Sequence, residues 1–247
     1  MFPPRLTTLA LIACLAPCGT QALVGESSKG GAMAPHVVMV LASRPSGAGF
    51  CTAVVIAPEA ILTAAHCVAA AKDTRVFIKI EDTNVFIQPS AISVHPDYKS
   101  QALRTRERSI DLALIKIGQE LPRWIKPVDF DERPQQIGAR YGIAGFGVTK
   151  EGAGESAGIL RWGVLVARPP LSKILLWAEG SKQKGLGACE GDSGGPVFAL
   201  DTSALLAITS WSAGEGKARC GALTQAALIA PQRNWIEATL KGWQITR

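Results

Sequence analysis

Ser193 stands in the run Gly191-Asp192-Ser193-Gly194-Gly195-Pro196, where flanking glycines let the backbone turn tightly and present a hydroxyl without crowding. Such a turn also frees backbone N–H groups. Those of Gly191 and Ser193 are the candidate donors to an oxyanion formed when a carbonyl is attacked. A serine hydroxyl is a weak nucleophile and needs a base of near-neutral pKa within hydrogen-bond reach, a task that suits histidine. Of the 3 histidines, His66 lies in Leu62-Thr63-Ala64-Ala65-His66-Cys67, beside a cysteine able to lock its loop. His36 and His95 fall where strands or turns are expected and have no nucleophile near them. An imidazole that takes and returns a proton also needs an acceptor on its other nitrogen. Asp111 fits, because Leu112-Ala113-Leu114 follows it and a carboxylate entering an apolar strand needs a partner. Singly, these motifs read equally well as a core histidine, a cap and a turn; together they describe acyl transfer.

The elements that must hold these residues are short. Twenty-five glycines and 15 prolines punctuate 247 residues, of which 47% are hydrophobic and 19% charged. That composition belongs to a folded globular chain and excludes disorder as its main state. Strand-length apolar runs recur at Val37–Leu41, Cys51–Ile56, Val76–Ile80, Val85–Ile87 and Leu112–Ile117, separated by turn residues. After a proline-containing crossing at Ile125-Lys126-Pro127-Val128 they resume at Gly142–Phe146, Ile159–Val166, Pro196–Ala199 and Leu205–Trp211. An all-β chain in two halves is expected, residues 23–128 carrying His66 and Asp111 and residues 129–247 carrying Ser193. Only Pro231–Lys241, with Trp235, Ile236 and Leu240 at helical spacing, predicts a helix.

Residues 1–22 have the three-part layout of a secretory signal peptide: one positive charge in Met1–Arg5, an apolar Leu6–Leu15, and a small-residue Ala16–Ala22. Cleavage after Ala22 is expected; the other reading is a buried N-terminal helix. Leu11-Ile12-Ala13-Cys14 also resembles a bacterial lipobox, which would lipidate Cys14. Export makes Cys51, Cys67, Cys189 and Cys220 disulfide candidates, with three pairings open. No Cys-x-x-Cys spacing suggests a metal cage among them. The formal charge of +6 is modest and accompanies no nucleic-acid motif.

Thr63-Ala64-Ala65-His66-Cys67, Asp111-Leu112-Ala113-Leu114 and Gly191-Asp192-Ser193-Gly194-Gly195-Pro196, in that order, resemble the three signatures of the chymotrypsin/trypsin-like serine proteases. Phe50-Cys51, Val94-His95-Pro96-Asp97-Tyr98, Gly145-Phe146-Gly147, Ser210-Trp211 and Trp235-Ile236 extend the likeness over nearly all of residues 23–247. The resemblance implies two antiparallel six-stranded β-barrels with a C-terminal helix, the cleft between them holding His66, Asp111 and Ser193. Chymotrypsin is the general template for this chemistry, so the mechanism comes with the resemblance: an acyl-enzyme on Ser193, with no metal or organic cofactor. Also implied are the pairings Cys51–Cys67 and Cys189–Cys220. In the family a newly freed apolar N-terminus inserts beside the nucleophile and pairs its ammonium with the aspartate before the serine. Asp192 holds that place here, and Leu23-Val24-Gly25-Glu26 resembles the inserting segment, unless it is only a linker.

The pocket base by resemblance is Gly187, without the acid that trypsin-like members carry, and Ser210, Trp211, Ser212 and Thr224 would line its walls. That implies a small or medium uncharged residue before the scissile bond, closer to elastase than to trypsin. Lys182, Lys184, Lys217 and Arg219 near the pocket, and Arg104, Arg106 and Arg108 before Asp111, are either a solvated rim or a preference for acidic substrates. The implied partners are a polypeptide substrate and a protein inhibitor, with no nucleic acid, and no membrane unless Cys14 is lipidated. A secreted or periplasmic monomer is expected. The rival reading is a non-catalytic cationic binding protein on a protease scaffold.

Overall fold

The computed structural model describes residues 23–25, 27–45, 47–180 and 185–247. The signal segment 1–22, with Ala22 and Cys14, lies outside the described residues, as do Glu26, Lys182 and Lys184. After a two-residue strand β1 (Ser28–Lys29), the first half of the chain forms β2 (Val37–Arg44), β3 (Gly47–Ala57), β4 (Ala60–Thr63), β5 (Asp73–Ile80), β6 (Thr83–Ile87), β7 (Pro89–Val94) and β8 (Ala113–Ile117). These pair antiparallel in the order β6-β5-β2-β3-β4-β8-β7. The second half forms β9 (Arg140–Gly145), β10 (Arg161–Ala167), β11 (Leu175–Gly180), β12 (Pro196–Ala199), β13 (Leu205–Ala213) and β14 (Leu223–Leu228). Their order is β10-β11-β14-β13-β12-β9, and the β9–β10 pairing closes them into a six-stranded barrel, with β1 added along β10.

The expected pair of barrels is therefore present with one difference. The first sheet has seven strands and curls into a half-barrel whose end strands β6 and β7 do not pair. Only Gln88 separates them, and Pro89 opens β7 without an amide donor. The ladder breaks there, so one bent path serves β5 on one side and β8 on the other.

Alternation decides which side chains face inward. β10 reads buried and half-buried in strict turn from Arg161 to Ala167, and β5 alternates from Thr74 to Ile78, as strands with one packed face must. β4 is buried on every residue, because β3 and β8 flank it and its side chains meet core on both faces. The helix α3 (Arg233–Gly242) follows a single turn at Ala230–Gln232 that contains Pro231. Its Ile236 and Leu240 join the core of the first sheet, its Trp235 meets His95 edge-on at 4.7 Å, and Trp243 just beyond it accepts from Lys116 Nζ. The last helix thus straps the first half from behind.

Candidate active site

His66 sits in α1 (Ala65–Val68), a single helical turn directly after β4. Two contacts hold it: Cys67 is bonded to Cys51 on β3, and the Arg44 guanidinium donates to the carbonyls of His66 and Cys67 at 2.8 and 2.6 Å. Asp111 lies between the buried Ile110 and Leu112. Its Oδ1 accepts from the His66 amide at 2.9 Å, and its Oδ2 meets His66 Nδ1 at 2.7 Å and accepts from Ser210 Oγ at 2.5 Å. Burial alone pushes this carboxyl upward, but the hydrogen bonds and charge of His66, with the Ser210 hydroxyl, outweigh it and hold Asp111 below the ordinary carboxylate value. The imidazole is thereby fixed with Nδ1 toward the carboxylate. His66, Asp111, Ser193 and Ser210 all open on one cleft of about 760 Å³ between the two halves.

The Ser193 loop is held from the opposite barrel. Gly191 and Gly194 have φ of +95° and +82°. A Cβ on Gly191 would lie 2.2 Å from the Phe50 ring, and one on Gly194 2.1 Å from the carbonyl of Thr52, so only glycine fits. Thr52, fully buried on β3, clamps the turn: its amide donates to the Ser193 carbonyl at 2.8 Å and its hydroxyl to the Gly191 carbonyl at 2.8 Å, while that hydroxyl accepts from the Phe146 amide at 3.0 Å. Among the described residues, the amides of Gly191 and Ser193 meet no acceptor, which leaves them available to an incoming oxyanion. Sequence reasoning missed Thr52 and Arg44. The one signal for Thr52 is a polar residue inside the apolar run Cys51–Ile56.

Asp192 points away from the cleft and is fully buried, accepting from the amides of Gly147 and Cys189 at 2.8 and 2.9 Å. Burial pushes its carboxyl up to about 7, against the pull of those two amides. A Cβ on Gly145 or Gly147 would fall 2.2 or 2.5 Å from this carboxylate, which is why Gly145-Phe146-Gly147 needs both glycines. Leu23 is fully buried in a cluster that includes Leu186 and Ala188. Val24 bridges Gly187, whose amide donates to the Val24 carbonyl at 3.1 Å.

Of the pocket residues, Ser210, Trp211 and Ser212 line the cleft, whereas Gly187 and Thr224 lie buried behind it. A Cβ on Gly187 would meet Gly221 Cα at 3.1 Å and Thr224 Oγ1 at 3.4 Å, and that hydroxyl accepts from the Ala188 amide. Cys189 and Cys220 are bonded. The grouping of Cys51, His66 and Cys67 offers no metal cage, because its two sulfurs are consumed in the disulfide. Arg219 reaches along the pocket mouth to Glu151 and Glu190 at 2.7 and 2.8 Å.

Comparison with known proteins agrees with this geometry. The family model described as Trypsin matches residues 23–236. A trypsin of Saccharopolyspora erythraea is 26% identical over 75% of this chain and 85% of its own length. Trypsin-1 of Salmo salar is 25% identical over 81% of this chain and 85% of its own. The fold is shared with neuropsin, a serine protease expressed in the limbic system of mouse brain, at a TM-score of 0.70 and 22% identity, covering 87% of this chain and 99% of that one. With the family match running from Leu23 into the terminal helix, and two barrels meeting at His66, Asp111 and Ser193, the chain belongs to the trypsin family of serine proteases.

Proposed function

We propose that the protein is an exported serine endopeptidase that cleaves polypeptides through an acyl-enzyme on Ser193. The observation that carries this is the Asp111-bound His66, held at 2.7 Å and opening on the same cleft as Ser193. Ser193 Oγ attacks the carbonyl as His66 Nε2 takes its proton, forming the C–O bond and a tetrahedral oxyanion that the Gly191 and Ser193 amides receive. His66 returns the proton to the departing amine as the C–N bond breaks, and water then reverses the sequence to release the acid. Asp111 supports the imidazolium in both halves.

The absence of a charge at Gly187, which lies buried behind the cleft with Thr224, supports a small or medium uncharged residue before the scissile bond. The docking of Leu23 and Val24 against the Gly187 segment supports Leu23 as the mature N-terminus and Asp192 as the partner of its ammonium. Signal peptidase then leaves an active enzyme with no separate propeptide, residues 23–128 and 129–247 forming the two halves of one monomeric domain. Two disulfides support a secreted or periplasmic address.

A fluorophosphonate probe tests the reading. It is expected to label Ser193 in the purified protein and to fail on Ser193→Ala, and labelling that survives the substitution would overturn the assignment. N-terminal sequencing of secreted material is expected to begin at Leu23; a start at Cys14 or Gly30 would remove the processing scheme.

A further inference from the structure

The cleft carries two basic regions that differ in one respect. At the pocket mouth Arg219 is neutralised by Glu151 and Glu190. From the loop that precedes Asp111, Lys99, Arg106 and Arg108 also line the cleft. Glu107 there is paired with Lys99 at 3.5 Å and accepts from the Thr105 hydroxyl at 3.3 Å, and Asp111 is fully engaged by His66 and Ser210. Among the described residues, Arg106 and Arg108 form no ion pair.

Their loop is built rather than loose. The Lys99 amide donates to Ser109 Oγ at 2.8 Å and the Ile110 amide to the Asp97 carbonyl at 3.1 Å, pinning the base. At the tip, helix α2 (Ala102–Thr105) ends on Arg106, which turns the chain back with φ of +56°, and the Glu107 amide closes on the Ala102 carbonyl at 3.2 Å. Ile174, Trp177 and Trp211 supply an apolar lining to the same cleft, so a charge drawn in beside them is less well hydrated than one on open surface.

We propose that this Arg106–Arg108 region is a subsite for an acidic side chain of the polypeptide substrate, near the scissile bond but not at the residue that Ser193 attacks. The assignment rests on the peptidase reading above. The scissile residue itself is not acidic in this scheme, because among the described residues the arginine beside that pocket, Arg219, already has two carboxylates.

The test uses processed protein and fluorogenic peptides matched in pairs, Glu against Gln, at each position flanking a fixed small scissile residue. At low ionic strength one position is expected to favour Glu about fivefold in kcat/KM, the scale of an exposed ion pair, and the advantage is expected to shrink as salt shortens the screening length. The double variant Arg106→Glu with Arg108→Glu is expected to lose the preference for Glu and favour Lys at that position. A protein that labels with fluorophosphonate and cleaves Glu and Gln peptides equally at every position overturns the subsite, as does a preference for Glu that survives the double variant. A protein that neither labels nor cleaves removes the peptidase reading itself, and the subsite with it.

Discussion

Asp111 shows how single residues divide the work. Its two oxygens accept three hydrogen bonds, two from His66 and one from Ser210. Asn at this position would retain the shape but turn an N–H donor toward His66 Nδ1, which must itself donate, so the imidazole would be held in the wrong tautomer; Asp111→Asn is expected to lower kcat by about 10⁴-fold. Ser210→Ala removes one donor and leaves the His66 contacts in place. Its carboxylate should move back toward the ordinary value, and because that value is still well below neutral pH, the loss in kcat is expected to be far smaller than for Asn. Unfolding should still register the missing charge-assisted bond, by about 1.5–3 kcal/mol. Steady-state kinetics beside a denaturant titration separate the two outcomes, and equal losses of kcat in both variants would contradict the tautomer argument.

At the scale of elements, the Ser193 turn depends on a strand of the other half. Thr52 on β3 bonds both the Ser193 and Gly191 carbonyls and receives the Phe146 amide. Thr52→Val keeps the volume but abandons a buried carbonyl, at about 1–3 kcal/mol, and a half-buried amide at less, and labelling of Ser193 should slow. Thr52→Ser retains the hydroxyl and is expected to recover most of both, which a simple packing defect would not. This contact also marks where sequence reading stops. Strands with apolar runs, such as Val37–Leu41 and Leu205–Trp211, were legible, and so was the gathering of His66, Asp111 and Ser193 on one cleft, because short motifs and their order carry that much. Strand β14, Leu-Thr-Gln-Ala-Ala-Leu, lacks the alternation or apolar run that would announce it, and owes its state to pairing with β11 and β13. The split of β6 from β7 depends on which neighbours compete for the path. The grip of Thr52 on Gly191 joins residues 139 apart in sequence, a separation no local pattern records.

At the scale of the whole molecule, the proposed processing at Leu23 would act through Asp192. In the continuous chain this carboxyl is buried with two amides and no cation among the described residues, and it titrates near 7, whereas in the unfolded chain it returns to about 4. Between those values the folded state holds a proton that the unfolded state has lost, so unfolding free energy falls as pH rises from about 4 to about 7 and is level on either side. The difference at neutral pH is on the order of 4 kcal/mol. A free ammonium on Leu23 beside the carboxylate would reverse the shift and remove that loss. Two preparations starting at Leu23, one with a free α-amino group and one acetylated, which lacks the charge, therefore make the comparison. Their melting temperatures are expected to agree near pH 4 and to separate progressively up to pH 7, with the acetylated chain the less stable. Asp192→Asn in the acetylated chain should flatten its pH dependence, because no carboxyl remains to be charged in the core. Parallel melting curves across the whole range for the free and acetylated chains would show that Leu23 and Asp192 do not meet, leaving the burial of Leu23 to packing alone.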